Sequence, residues 1–148
     1  MKITTPASST HDGPPVPTPH VVLAVDDESA VRELLVMILE YQGNKVLAAE
    51  SAAQALAMVE AWRGDPIELL ITDLAMPGAT GDELASKLGE ILPELKVIFV
   101  SGYSADDPMV TRLDLHNALY LPKPTSPRSL GKAIHSLFDP ALTWSHAG

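Results

Sequence analysis

Residues 21–28 read Val21-Val22-Leu23-Ala24-Val25-Asp26-Asp27-Glu28, an unbroken apolar run followed by three acids. Such a run fits a strand buried on both faces, as in the middle of a parallel sheet. Three later segments end in the same manner. Residues 67–72 deliver Asp73, residues 95–100 deliver Ser101, and residues 118–121 lead through Pro122 to Lys123. In an open parallel sheet the carboxyl ends of the strands line the crevice that binds ligands. Three carboxylates, a hydroxyl and an amine are therefore expected to converge, a set suited to a hard cation and a phosphoryl group.

Outward from this stretch the chain alternates. After Glu28, Val31, Leu34, Leu35, Ile38 and Leu39 recur at helical spacing until Gly43-Asn44 stops the helix. Residues 45–49 read as a strand. A helix then starts at Ser51, with Gln54 completing a capping-box pattern, and ends near Trp62. Thr80 with Glu83 is a second such pattern, opening a helix with Leu84, Leu88 and Ile91 on one face. Asp107-Pro108 marks a short fourth helix. Ser126-Pro127 starts the last one, which turns Leu130, Ile134 and Leu137 inward and ends near Asp139-Pro140. Five βα units with short connections predict a doubly wound α/β fold: a five-stranded parallel sheet between two helical layers.

The bulk numbers agree. A chain of 148 residues with 46% apolar and 20% charged residues supports one folded domain with a real core. The boundaries expected are a Pro/Ser/Thr-rich flexible tail or linker over 1–19, the domain over 20–138, and a peripheral tail over 139–148. The absence of cysteine excludes disulfides, thiolate metal sites and cysteine nucleophiles. No apolar stretch approaches the ~20 residues that span a bilayer, and the first twenty residues lack the apolar core of a secretory signal. A cytoplasmic protein without membrane contact is expected. A net charge of −9 argues against nucleic-acid binding, which needs clustered Lys and Arg. The five histidines show no ligand spacing, and Met37, Met58, Met76 and Met109 read as core or turn residues.

Each site residue also has an ordinary structural explanation. Asp27-Glu28 could simply open a helix, where acids favour the dipole, and Asp73 could be a solvated turn residue before Met76-Pro77-Gly78. Ser101 precedes a flexible Gly102, and Lys123 lies between two prolines that hold its ammonium in one direction. The pattern is persuasive because the residues occur together and in order. A phosphoryl group on one of the acids needs a cation, a donor hydroxyl and an ammonium to balance its oxygens, and the set supplies one of each.

Over residues 20 to 138 the chain resembles a response-regulator receiver domain of two-component signalling, with the flavodoxin-like (βα)5 fold. The resemblance rests on Val25-Asp26-Asp27-Glu28, Thr72-Asp73-Leu74-Ala75-Met76-Pro77-Gly78, Ser101-Gly102-Tyr103 and Lys123-Pro124. It implies that Asp73 accepts a phosphoryl group from a histidine kinase or histidine phosphotransfer protein. It also implies a Mg²⁺ site, with Mn²⁺ able to substitute, made by Asp27 directly, Asp26 largely through water, Asp73, and the backbone carbonyl of Ala75. Ser101 would be the switch hydroxyl, Lys123 the phosphate-binding ammonium, and Tyr120 the switch aromatic, although Tyr120 reads equally well as a packed strand-end ring. The implied protein is a phosphoacceptor rather than an enzyme, read by a downstream partner at the face of helix 4, strand 5 and helix 5, and monomeric or weakly dimeric.

Thr125 stands where the family often has an aromatic, and the helix-4 segment is short. The string from Ser101 to Asp107 is similar to receivers of hybrid histidine kinases, so both a free-standing regulator and a hybrid-kinase receiver fit. Tyr103 is expected to shield the phosphoryl group from water. Two alternatives belong to other classes. A haloacid-dehalogenase-type phosphohydrolase also uses Asp, Mg²⁺, a hydroxyl and a lysine, but its nucleophile opens an Asp-x-Asp pattern on the first strand. A receiver-fold interaction module without phosphorylation would not need the intact acidic set.

Overall fold

The computed structural model describes residues 19–139. The calls on the tails, including His11 and His146, lie outside the described residues. The strands are β1 (Val21–Val25), β2 (Lys45–Ala49), β3 (Leu69–Asp73), β4 (Lys96–Ser101) and β5 (Ala118–Pro122). Between and after them come α1 (Ser29–Tyr41), α2 (Ala52–Ala61), α3 (Gly81–Ile91), α4 (Pro108–Thr111) and α5 (Pro127–Phe138). The strands form one parallel sheet in the order β2-β1-β3-β4-β5. The winding reverses between β1 and β3, so the crevice at their carboxyl ends lies between Asp26 and Asp73.

Alternation along β1 builds two cores. Val21, Leu23 and Val25 face one layer with Ala55 and Val59 of α2 and Leu84 and Leu88 of α3. Val22 and Ala24 face the other, with Leu35, Ile38 and Leu39 of α1 and Leu130, Ile134 and Leu137 of α5. Each fully buried aliphatic side chain contributes roughly 1.5–3 kcal/mol, which anchors the helices from which the site loops emerge. Gln42 ties the end of α1 to the start of α5, its Nε2 donating to the Pro127 carbonyl at 2.9 Å.

Helix starts follow the expected chemistry with one difference. Thr80 N–H donates to Glu83 Oε1 at 2.9 Å, and Ser126 Oγ accepts from Ser129 N–H at 3.0 Å. Ser51 Oγ accepts from Gln54 N–H, but the Gln54 side chain reaches back to the N–H of Glu50, one residue beyond the cap. The inward face of α1 is narrower than its apolar pattern suggests. Leu34 is 53% and Met37 66% exposed, so they are not core residues. With Tyr41 they form an exposed ridge. Apolar residues cover more of this helix than the sheet can cover, so the excess faces water. Ile91 of α3 is exposed for the same reason.

Candidate functional site

Each acid is delivered by a strand end. β1 stops at Val25, Asp26 N–H is still held by the Ala49 carbonyl, and the chain then turns into α1. Asp26 Oδ1 accepts the Glu28 N–H at 2.9 Å, while Arg32 donates to the Asp26 carbonyl at 2.7 Å. This turn brings Asp27, which an extended chain would point away, onto the same side as Asp26. Carboxylate oxygens of Asp26, Asp27 and Asp73 all lie within 4.8 Å of one another. Asp26 and Asp73 are buried and Asp27 is exposed. Glu28 occupies the N-cap position of α1, but its side chain makes no capping hydrogen bond and no acid follows in the first turn.

Asp73 closes β3. Its Oδ1 accepts the Ala75 N–H at 3.2 Å, and its Oδ2 lies 3.1 Å from Lys123 Nζ. The same ammonium lies 3.2 Å from Asp26 Oδ2 and 3.7 Å from Glu28 Oε1. Burial raises the Asp73 pKa above the usual aspartate value, against the hydrogen bond and charge of Lys123, which pull it down. Burial also works against the Lys123 ammonium, but its bond to Asp73 and the charges of Asp26 and Asp73 prevail and hold its pKa above the ordinary lysine value. One cation thus serves three carboxylates. Two buried acids, an exposed third open to water and this surplus of oxygen charge fit a small hard cation that keeps part of its hydration shell.

Ser101 closes β4, fully buried, its Oγ accepting the Tyr103 N–H at 2.9 Å. The Lys123 N–H donates to the Ser101 carbonyl at 2.8 Å, so hydroxyl and ammonium enter from adjacent strands in fixed register. Tyr120 packs against the core on the α2–α3 side while its hydroxyl donates to the Tyr103 carbonyl. It is both a packed strand-end ring and a tie to the loop after Ser101. The Lys123–Pro124 peptide is cis.

Gly81 and Glu28 received no role from the sequence pattern. A Cβ at Gly81 would meet the Asp73 carbonyl oxygen at 2.3 Å, so α3 starts as close to the end of β3 as a glycine allows. No motif in the sequence announces that approach. Glu28 was visible as the third acid of its string, but its position beside Lys123 depends on the turn.

A model of the response regulator receiver domain matches residues 22–135. The phosphate regulon transcriptional regulatory protein PhoB of Pseudomonas aeruginosa is 33% identical over 111 residues, covering 74% of this chain and 47% of that protein. The sensor kinase CckA of Brucella abortus is 34% identical over 119 residues, covering 80% of this chain and 12% of that protein. The chain therefore spans about half or less of these relatives. Among solved structures, the response regulator TrrA of Thermotoga maritima, in complex with Mg²⁺-BeF, superposes with a TM-score of 0.66 at 28% identity, covering 80% of this chain and 99% of that one. On the matched span, the likeness in fold to solved receivers and the acids at the switch point, this chain belongs to the response regulator receiver domain family of two-component systems.

Proposed function

We propose that the chain is a phosphoryl-accepting receiver in which Asp73 takes a phosphoryl group from a phosphohistidine on a kinase or phosphotransfer protein. The observation that carries this reading is the Asp73 carboxylate itself: buried at a strand end, 3.1 Å from the Lys123 ammonium and clustered with Asp26 and Asp27. A carboxylate oxygen of Asp73 attacks phosphorus, the phosphorus–nitrogen bond breaks, and the imidazole leaves with that electron pair. Asp26, Asp27, Asp73 and the Ala75 carbonyl would hold Mg²⁺ or Mn²⁺, which neutralises phosphoryl oxygens when bound. Lys123 moves from sharing the acids to holding a phosphoryl oxygen. Ser101 gives up the Tyr103 N–H and donates its own hydrogen to another.

The readout follows from what these groups touch. Phosphorylation replaces a monoanion by a more highly charged group with several acceptor oxygens. Withdrawal of Ser101 and Lys123 toward it pulls on β4 and β5, and the Tyr120–Tyr103 tie carries the change to the loop before α4. A downstream protein reads the α4, β5 and α5 face. Monomer or weak dimer remains the expected state, and the product is a phosphoprotein rather than a turned-over substrate. Membership of the receiver family removes the case for a haloacid-dehalogenase-type hydrolase. Among the described residues no helix is long and apolar enough to cross a membrane.

The acceptor is identified by borohydride reduction after incubation with acetyl phosphate and Mg²⁺, which turns an aspartyl phosphate into homoserine. Peptide sequencing is expected to find homoserine at position 73. Homoserine at 26 or 27 instead would overturn the assignment.

A further inference from the structure

A cavity of about 140 Å³ opens between α1 and the loop after β5 and reaches the reacting groups. Its walls are aliphatic, with Val31, Leu34, Leu35 and Ile38 on one side and Pro124 and Thr125 on the other. At one end lie Asp26, Asp73 and the Lys123 ammonium. The reading of Asp73 as phosphoacceptor uses only that polar end and leaves the apolar part without a task.

The two ends ask for one kind of molecule. Lys123 and a bound divalent cation complement a phosphoryl group, while the aliphatic walls complement a short hydrocarbon. A tail of a few carbons is small enough for a cavity of about 140 Å³ that opens to solvent past Leu34. From this continuity and complementarity we infer that the cavity is a subsite for the tail of small acyl phosphates longer than acetyl phosphate, used directly as phosphoryl donors. The inference rests on the phosphoacceptor reading above. In the reaction an Asp73 carboxylate oxygen bonds to phosphorus and the bond from phosphorus to the acyl oxygen breaks. The carboxylate leaves with that electron pair, nothing is oxidised or reduced, and the tail stays in the cavity until the product departs.

Thr125 bounds the cavity without touching the reacting atoms in this reading, so filling it separates the subsite from the chemistry. The experiment follows phosphoprotein formation by intact mass with acetyl, propionyl and butyryl phosphate, each at the same subsaturating concentration with Mg²⁺. Burial of a methylene is worth about fourfold, so butyryl phosphate is expected to react about fifteenfold faster than acetyl phosphate. Thr125→Phe is expected to flatten the series while its rate with acetyl phosphate stays within about twofold of wild type. A flat series in the wild-type protein, with acetyl phosphate still reacting, overturns the subsite and leaves the cavity to a side chain of a protein donor. This comparison does not depend on any variant folding. A steep series that survives in Thr125→Phe places the tail elsewhere and also overturns it. No transfer from any of the three donors overturns the phosphoacceptor reading itself.

Discussion

In the proposed role of nucleophile Asp73 has to stay ionised, yet burial penalises its charge. A carboxyl whose pKa is raised by folding contributes stability below its unfolded pKa and loses it as pH rises through the folded one. At neutral pH the ionised Asp73 is therefore a cost to the fold. Asp73→Asn is expected to be more stable than wild type by about 1 kcal/mol near neutral pH. In acid, where Asp73 is protonated, the gap closes. Urea unfolding of both proteins at the two pH values checks this, and a less stable Asn variant at neutral pH would contradict it. Tyr103 sits where its backbone is held from both sides, its N–H by Ser101 and its carbonyl by Tyr120. Its exposed ring is expected to hinder water, so Tyr103→Ala should lose the phosphoryl group severalfold faster. An unchanged or slower decay, followed by mass, would sink that role.

Elements set the precision of the site. The N-terminus of α3 reaches the end of β3 through Gly81, with Gly81 N–H bonded to the Leu74 carbonyl at 2.9 Å. Gly81→Ala forces a Cβ against the Asp73 carbonyl and is expected to destabilise the domain by ~1–3 kcal/mol, the usual range for overpacking. It should also slow phosphorylation, because the displaced atoms belong to the residue proposed as acceptor. Equal stability in thermal unfolding would show that the helix start yields without effect. The central strands β1, β3 and β4 were legible because burial on both faces leaves an apolar run, and their polar ends stood out against it. The edge strands β2 and β5 are only partly buried and were read from their place between helices. The ends and faces of helices were less so. The apolar pattern on α1 cannot say which residues meet the sheet, since Leu34 and Leu35 are adjacent in sequence and only Leu35 is buried. Gly81 could not be found either, because a close approach between backbones leaves no spacing rule behind.

On the scale of the whole molecule, a net charge of −9 surrounds a site where one ammonium serves three carboxylates. A cation that joins them relieves repulsion present only in the folded state, so binding adds to stability. Mg²⁺ at ten times its dissociation constant is expected to add about 1.4 kcal/mol and to raise the melting temperature of wild type more than that of Asp73→Asn. Equal shifts in both would assign the effect to general screening. The measurement that tests the central claim most directly is intact mass after incubation with acetyl phosphate and Mg²⁺. The account predicts a gain of about 80 Da, one phosphoryl group, dependent on Mg²⁺ and absent from Asp73→Asn. No adduct at any time and no consumption of acetyl phosphate would contradict it, leaving a receiver-shaped module that does not use its acids for phosphoryl transfer.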